Sequence, residues 1–152
     1  MESASVTFSQ QETLAGKYLP IIGSIITLLT VIICYIIAET GDVYLGGIGW
    51  PYFSDIGRDS PGYYVFAIGL TLVGIIFGYL WYLNYKVQVL LFSYAGTKAC
   101  SIKRTMILGV VANIWLPILS IFSTADYPSL HLLSAYIFVA MEIVTTFLNV
   151  SM

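Results

Sequence analysis

Charged side chains are scarce in this 152-residue chain, in which Asp, Glu, Lys and Arg together make up 9% of the residues. Soluble globular domains carry about 25% charged residues, whereas 59% of this chain is hydrophobic. So little charge cannot cover the surface of a water-soluble domain. The composition therefore excludes a soluble globular protein and predicts a membrane protein.

Cysteine and histidine are also rare, with two Cys and one His in the whole chain. The sequence contains no pair of Cys at metal-ligand spacing, no Gly-rich phosphate-binding loop and no nucleophile elbow. No metal, cofactor or nucleic acid is therefore expected to bind.

Long apolar runs, in contrast, are present, and about 20 apolar residues are enough for a helix to cross the hydrocarbon of a bilayer. The first run is too long for a signal-peptide core and lacks the basic n-region of a signal peptide, so it is expected to be retained. We predict an all-α membrane protein with a single transmembrane domain, residues 1–152. Its four helices are predicted to form an antiparallel bundle and to span residues 18–38, 64–85, 105–122 and 131–150.

The basic residues near these runs indicate the orientation of the chain, because Lys and Arg beside membrane spans remain in the cytosol. The loop 86–104 contains four of them, namely Lys86, Lys98, Lys103 and Arg104. The loop 39–63 contains four acidic residues against Arg58 alone. We predict that the loop 86–104 and both termini are cytosolic, and that the loop 39–63 forms a small exoplasmic cap.

The two cysteines are predicted to lie on opposite sides of the membrane, which excludes a disulfide between them. Cys34 lies near the exoplasmic end of the first helix. Cys100 lies in the basic cytosolic loop, where it is a candidate palmitoylation site. An ordinary thiol is the alternative.

The stretch WPYFSDIGRDSPGYYVF, residues 50–66, connects the first two helices. Ser60 followed by Pro61 is typical of an N-cap and a first helical residue. Asp55 is predicted to pair with Arg58, and the aromatic residues suit a membrane interface. One interpretation is a folded cap on the membrane with a purely structural role.

The same stretch resembles the signature of the damage-regulated autophagy modulator (DRAM) family and its Frag and Sfk relatives. The resemblance rests on the loop, the start of the second helix and the start of the fourth, namely on Pro51, Ser54, Asp55, Gly57, Pro61, Phe66 and His131. It extends over residues 45–149. Family members usually have six membrane helices, so the chain is expected to be a shortened relative or a truncated product.

The resemblance implies a non-enzymatic polytopic modulator of autophagy, or of endolysosomal or plasma-membrane lipid organisation, with membrane lipids as partners. One alternative is an enzyme or cofactor that remodels lipids or GPI anchors. In that enzyme, a catalytic base, a carboxylate or the ligands of a hard metal ion would be supplied on the exoplasmic side by His131, Asp126, Asp55, Glu39 and Asp42. Nothing in the spacing of these residues requires such a site. A second alternative is a structural subunit of a larger membrane complex. Such a subunit would bind other membrane proteins through small-residue helix faces.

Small residues follow one face of each of the first two helices. They are Gly23, Thr27, Thr30 and Cys34 in the first helix, and Ala67, Thr71, Gly74 and Gly78 in the second. Small residues let helix backbones approach closely in lipid. We predict that the two stripes face each other.

Two polar residues are predicted near the middle of the bilayer. Asn113 in the third helix and Glu142 in the fourth lie at similar depths, counted from the turn at Asp126. A neutral Glu142 carboxyl can donate a hydrogen bond to the Asn113 side chain. An intramembrane carboxyl is a site hypothesis by default, so two interpretations remain open: a structural hydrogen bond, or the binding of a polar lipid or a partner helix.

The predicted topology can be tested with two insertions. A tag placed after Met152 should be accessible only from the cytosol, and a glycosylation sequon introduced near Gly46 should be glycosylated because that loop is predicted to enter the lumen. Protection of the tag inside sealed vesicles would contradict the topology.

Overall fold

A computed structural model describes residues 7–41, 52–92 and 99–151 of the chain. All regular secondary structure in these ranges is helical, which confirms the predicted all-α fold. The helices are α1 (Gln10–Thr40), α2 (Phe53–Ile56), α3 (Gly62–Phe92), α4 (Ala99–Ile121) and α5 (Pro128–Val150). Helix α2 is a single turn, and the other four are long and apolar enough to cross a membrane.

Helices α1 and α3 have 31 residues each and are longer than the predicted spans 18–38 and 64–85. A charged residue ends an apolar run without ending the helix, because Glu and Lys are good helix formers. Ser9 and Glu12 form a capping box at the start of α1. Helices α4 and α5 have 23 residues each, or about 35 Å, which is close to the thickness of the hydrocarbon core.

The long helices pack in chain order, α1 on α3, α3 on α4 and α4 on α5, so α3 and α4 form the inner pair. Neighbouring helices are antiparallel: the start of α1 contacts the end of α3, where Lys86 Nζ lies 2.7 Å from both carboxylate oxygens of Glu12. We call the end of the bundle that carries α2 and the α4–α5 turn the cap end. The opposite end, with Glu12 and Lys86, is the terminus end.

The small-residue stripe of α1 faces α3, as predicted. Gly23 lies against the ring of Phe77, and Gly69 on α3 lies directly against the Thr30 side chain. Near the cap end, Cys34 Sγ lies 3.5 Å from the Gly62 carbonyl oxygen. Thr27 is only half-buried, and its hydroxyl donates to the carbonyl of Gly23 in its own helix.

The stripe predicted on α3 faces α4 instead of α1, so this half of the pairing prediction is wrong. A Cβ atom placed on Gly74 would lie 2.9 Å from both the Asn113 backbone oxygen and Pro117 Cδ. The Ala67 carbonyl lies 3.5 Å from Ser120 Oγ on α4. The remaining members of the stripe are Thr71 and Gly78, both half-buried.

The reason is that α3 packs against two helices and has a small-residue face for each. Gly69 and Gly74 are five residues apart, which rotates them by about 140° around a helix with 3.6 residues per turn. Gly69 contacts α1 and Gly74 contacts α4. Spacing alone identified one of these faces without identifying its neighbour.

The loop before α3 differs from the prediction in two details. Arg58 pairs with Asp59, with Nη2 and Oδ2 3.0 Å apart, rather than with Asp55, because the adjacent carboxylate is within easy reach of the guanidinium. Helix α3 begins at Gly62, one residue after Pro61, so Ser60 and Pro61 precede the helix. The amide of Tyr63, in the first turn of α3, donates to the Asp59 carbonyl at 2.9 Å. This amide at the start of the helix therefore has a backbone hydrogen-bond partner.

The close approach of α1 and α3 predicts an asymmetry between two glycines of α3. A Cβ atom at position 69 would overlap the Thr30 side chain, whereas one at position 78 would meet only Asn113 Cβ at an ordinary 3.8 Å. We expect Gly69→Ala to lower the free energy of unfolding by about 1–3 kcal/mol, as overpacking usually does, and Gly78→Ala to change it little. Unfolding in mixed detergent micelles measures both, and equal stability of the two variants would contradict this packing.

Candidate functional site

An apolar cavity of about 410 Å³ lies in the cap half of the bundle. Its floor is formed by the inner helices α3 and α4, its two walls by the outer helices α1 and α5, and its lid by the residues around α2. The lining residues are Thr27, Val31, Tyr52, Phe53, Ser54, Phe66, Leu70, Leu116, Leu119, His131, Ala135, Phe138 and Val139.

The lid is anchored by a contact between the loop and the start of α3. Gly57 lies so close to Phe66 that any side chain at position 57 would overlap the phenyl ring, and Ile56 is buried beside it. The chain therefore turns tightly at Gly57 and places Tyr52, Phe53 and Ser54 over the cavity. A larger residue at position 57 would push the lid away from α3.

The residues of the predicted family motif have different positions in this arrangement. Ser54, Phe66 and His131 line the cavity, and Gly57 holds the lid. Asp55 is half-buried and Pro61 is exposed, and neither lines the cavity. Pro51 lies outside the described residues.

His131 takes part in a structural hydrogen bond at the start of α5. The residue is buried, and its Nδ1 atom lies 2.9 Å from the carbonyl oxygen of Phe122. Asp126 hydrogen-bonds with Ser123 in the same turn. Across residues 7–41, 52–92 and 99–151, no hydrogen bond or ion pair joins His131 to an acid, and no three His, Cys, Asp or Glu residues are grouped as metal ligands. Asp42 lies outside these ranges.

A polar cluster lies deeper in the bundle, toward the terminus end. Asn113 on α4 and Glu142 on α5 are hydrogen-bonded, as predicted from their depths. The donor differs from the prediction, because Asn113 Nδ2 donates to Glu142 Oε1 and also to the Gly109 carbonyl at 2.9 Å. Asn113 is 3% exposed, and its Oδ1 has no hydrogen-bond partner in the described part of the chain.

Three residues of α3 extend this cluster and were not predicted from the sequence. The indole of Trp81 packs directly against Gly109 of α4, where a Cβ atom would overlap the ring. The side-chain amides of Asn84 and Gln88 both donate to Asn149 Oδ1 on α5. Trp81, Asn84 and Gln88 recur at helical spacing, and this was the signal in the sequence that could have identified them.

A cleft of about 230 Å³ runs along this cluster between α3 and α5. It is lined by Phe77, Leu80, Trp81, Asn84, Glu142 and Asn149. Thr145 on α5 is fully buried and donates to the Met141 carbonyl in its own helix. Cys100 is exposed at the terminus end, and its palmitoylation remains a prediction.

Comparison with protein families matches residues 15–152 to the Frag1/DRAM/Sfk1/Cwh43P N-terminal domain. Neither a curated protein nor a solved structure matches the chain. The family match covers nearly the whole sequence and agrees with the four apolar helices of the bundle. The chain is therefore a multi-pass membrane protein that belongs to the Frag1/DRAM/Sfk1/Cwh43P N-terminal domain family.

Proposed function

We propose that this protein is a non-enzymatic modulator of lipid organisation that holds a lipid acyl chain in the cavity at its cap end. Endolysosomal membranes and the plasma membrane are the proposed sites of action, and autophagy is the proposed process. The observation that carries the proposal is the apolar cavity between the four membrane helices.

The size of the cavity suits a ligand. Its volume of about 410 Å³ is within the range of roughly 300–1,000 Å³ that is typical of small-molecule sites. Its lining is mostly aliphatic and aromatic, and burial of such surface favours a hydrocarbon ligand. Acyl chains form the medium around the helices, so they are the most abundant molecules that could enter.

The polar atoms of the cavity support an acyl chain rather than a polar head as the ligand. The Thr27 hydroxyl donates to the Gly23 carbonyl at 2.9 Å, and His131 Nδ1 is 2.9 Å from the Phe122 carbonyl oxygen. Two of the few polar groups are thus already bonded within the protein. A hydrocarbon chain requires no hydrogen bond from them.

Two valines of α5 provide a matched test of this binding site. Val139 lines the cavity and Val144 does not, yet both side chains are 51% exposed. We expect Val139→Trp to fill the cavity and to remove most of the lipid that remains bound after detergent exchange, whereas Val144→Trp should retain it. Native mass spectrometry measures the bound lipid.

The same experiment tests the absence of catalysis. Lipids recovered after incubation with the purified protein should have the masses of the lipids supplied. Equal lipid binding by both tryptophan variants would contradict the site, and a converted lipid that appears with the wild type and not with Val139→Trp would establish an enzyme instead.

A further inference from the structure

We propose that the cleft between α3 and α5 binds the head of an uncharged, hydroxyl-bearing lipid of the diacylglycerol type. This site lies toward the terminus end, separate from the cap-end cavity, and the proposal does not depend on the function proposed for that cavity. The depth, the hydrogen-bonding groups and the charge of the cleft support this type of ligand.

The cleft begins at the terminus end of the bundle and extends into the membrane. Asn149 is the second-last residue of α5, and Glu142 is seven residues before it. Seven helical residues correspond to about 10 Å, and a helix of 23 residues only just spans the hydrocarbon core. Glu142 therefore lies about 10 Å deeper than the membrane boundary near Asn149.

The polar side chains of the cleft leave hydrogen-bonding groups without a partner. Asn149 Oδ1 accepts from both Asn84 and Gln88, so a single acceptor is shared by two donors. The Asn149 side-chain N–H groups and the Asn84 side-chain oxygen have no hydrogen bond in the described residues. A hydroxyl group both donates and accepts, so one hydroxyl head can bond to the amide of either residue.

The charge of the cleft selects against a phosphate head. Among the described residues that line the cleft, Glu142 is the only ionisable side chain, and none is Lys or Arg. The nearby Lys86 is paired with Glu12 of α1, with side-chain exposures of 13% and 17%. A phosphate at this depth would lie beside a carboxyl without a cation, and a buried unpaired charge is costly. An uncharged head adds no charge to the site.

The apolar part of the lining fits the hydrocarbon that follows such a head. Phe77 and Leu80 form one side of the cleft, beside the polar groups of Asn84 and Asn149. A lipid without phosphate has a small head that can lie below the boundary, and its chains continue along the exposed surface of α5. The combination of two amides, one carboxyl and an apolar wall therefore matches a diacylglycerol-type lipid.

The test compares two photoactivatable lipids with identical acyl chains, diacylglycerol and phosphatidic acid, on the full chain in lipid nanodiscs. We expect diacylglycerol to label the segments 77–84 and 142–149 about tenfold more than phosphatidic acid does. Asn84→Leu should reduce this labelling about tenfold, because the head loses a hydrogen-bonding partner. Thr146→Leu, an equivalent change at an exposed position of α5 outside the cleft, should leave it unchanged.

A second variant keeps the test independent of the folding of Asn84→Leu. Leu80→Trp fills the cleft while the bonds from Asn84 and Gln88 to Asn149 remain, so it should also abolish labelling of the two segments. Equal labelling by both lipids, absence of labelling in the wild type, or labelling that persists in Leu80→Trp would overturn the proposal. Val139→Trp at the cap end should not change labelling of these segments, which separates failure of this proposal from failure of the proposed acyl-chain site.

Discussion

The bundle depends on the close approach of helix α3 to both of its neighbours. Gly69 allows α3 to contact the Thr30 side chain of α1, and Gly74 allows it to contact the backbone of α4 at Asn113. In lipid, where hydrophobic attraction between helices is weak, such contacts let dispersion forces accumulate. Because α1 and α4 occupy two faces of α3 and α5 packs on α4, the outer helices α1 and α5 form the two sides of a groove. The cap-end cavity is that groove, closed by the lid around α2.

The bundle is divided along its length into an apolar half and a polar half. The cap half contains the cavity, whose floor is built from Phe66, Leu70, Leu116 and Leu119. The terminus half contains the hydrogen bonds of Asn113 with Glu142 and of Asn149 with Asn84 and Gln88. A polar group that faces hydrocarbon without a hydrogen bond is costly, so these side chains lie between helices, where they bond to one another, rather than toward lipid. This division supports different ligands at the two ends, a hydrocarbon chain in one and a hydroxyl head in the other.

Hydropathy and charge predicted the four helices, because the length of an apolar run is a direct consequence of membrane thickness. The Asn113–Glu142 bond was predicted for a similar reason, since both residues could be placed by depth. The helix that packs against the small-residue stripe of α3 was not predicted correctly. Spacing defines a face of a helix without identifying the helix that covers it. Asn84 and Gln88 were missed because they carry no charge and their partner Asn149 lies 65 and 61 residues away. The cavity arises from all four long helices together, and no local pattern predicts it.

The central claim, that an acyl chain occupies the cap-end cavity, is tested most directly by nuclear Overhauser effects between lipid chains and leucine methyl groups in nanodiscs. Leu116 and Leu119 line the cavity and are only 7% and 8% exposed, whereas Leu132 and Leu133 on α5 are 52% and 54% exposed. A bound chain predicts lipid cross-peaks to Leu116 and Leu119 as well as to the exposed pair. Cross-peaks to Leu132 and Leu133 alone would contradict the account.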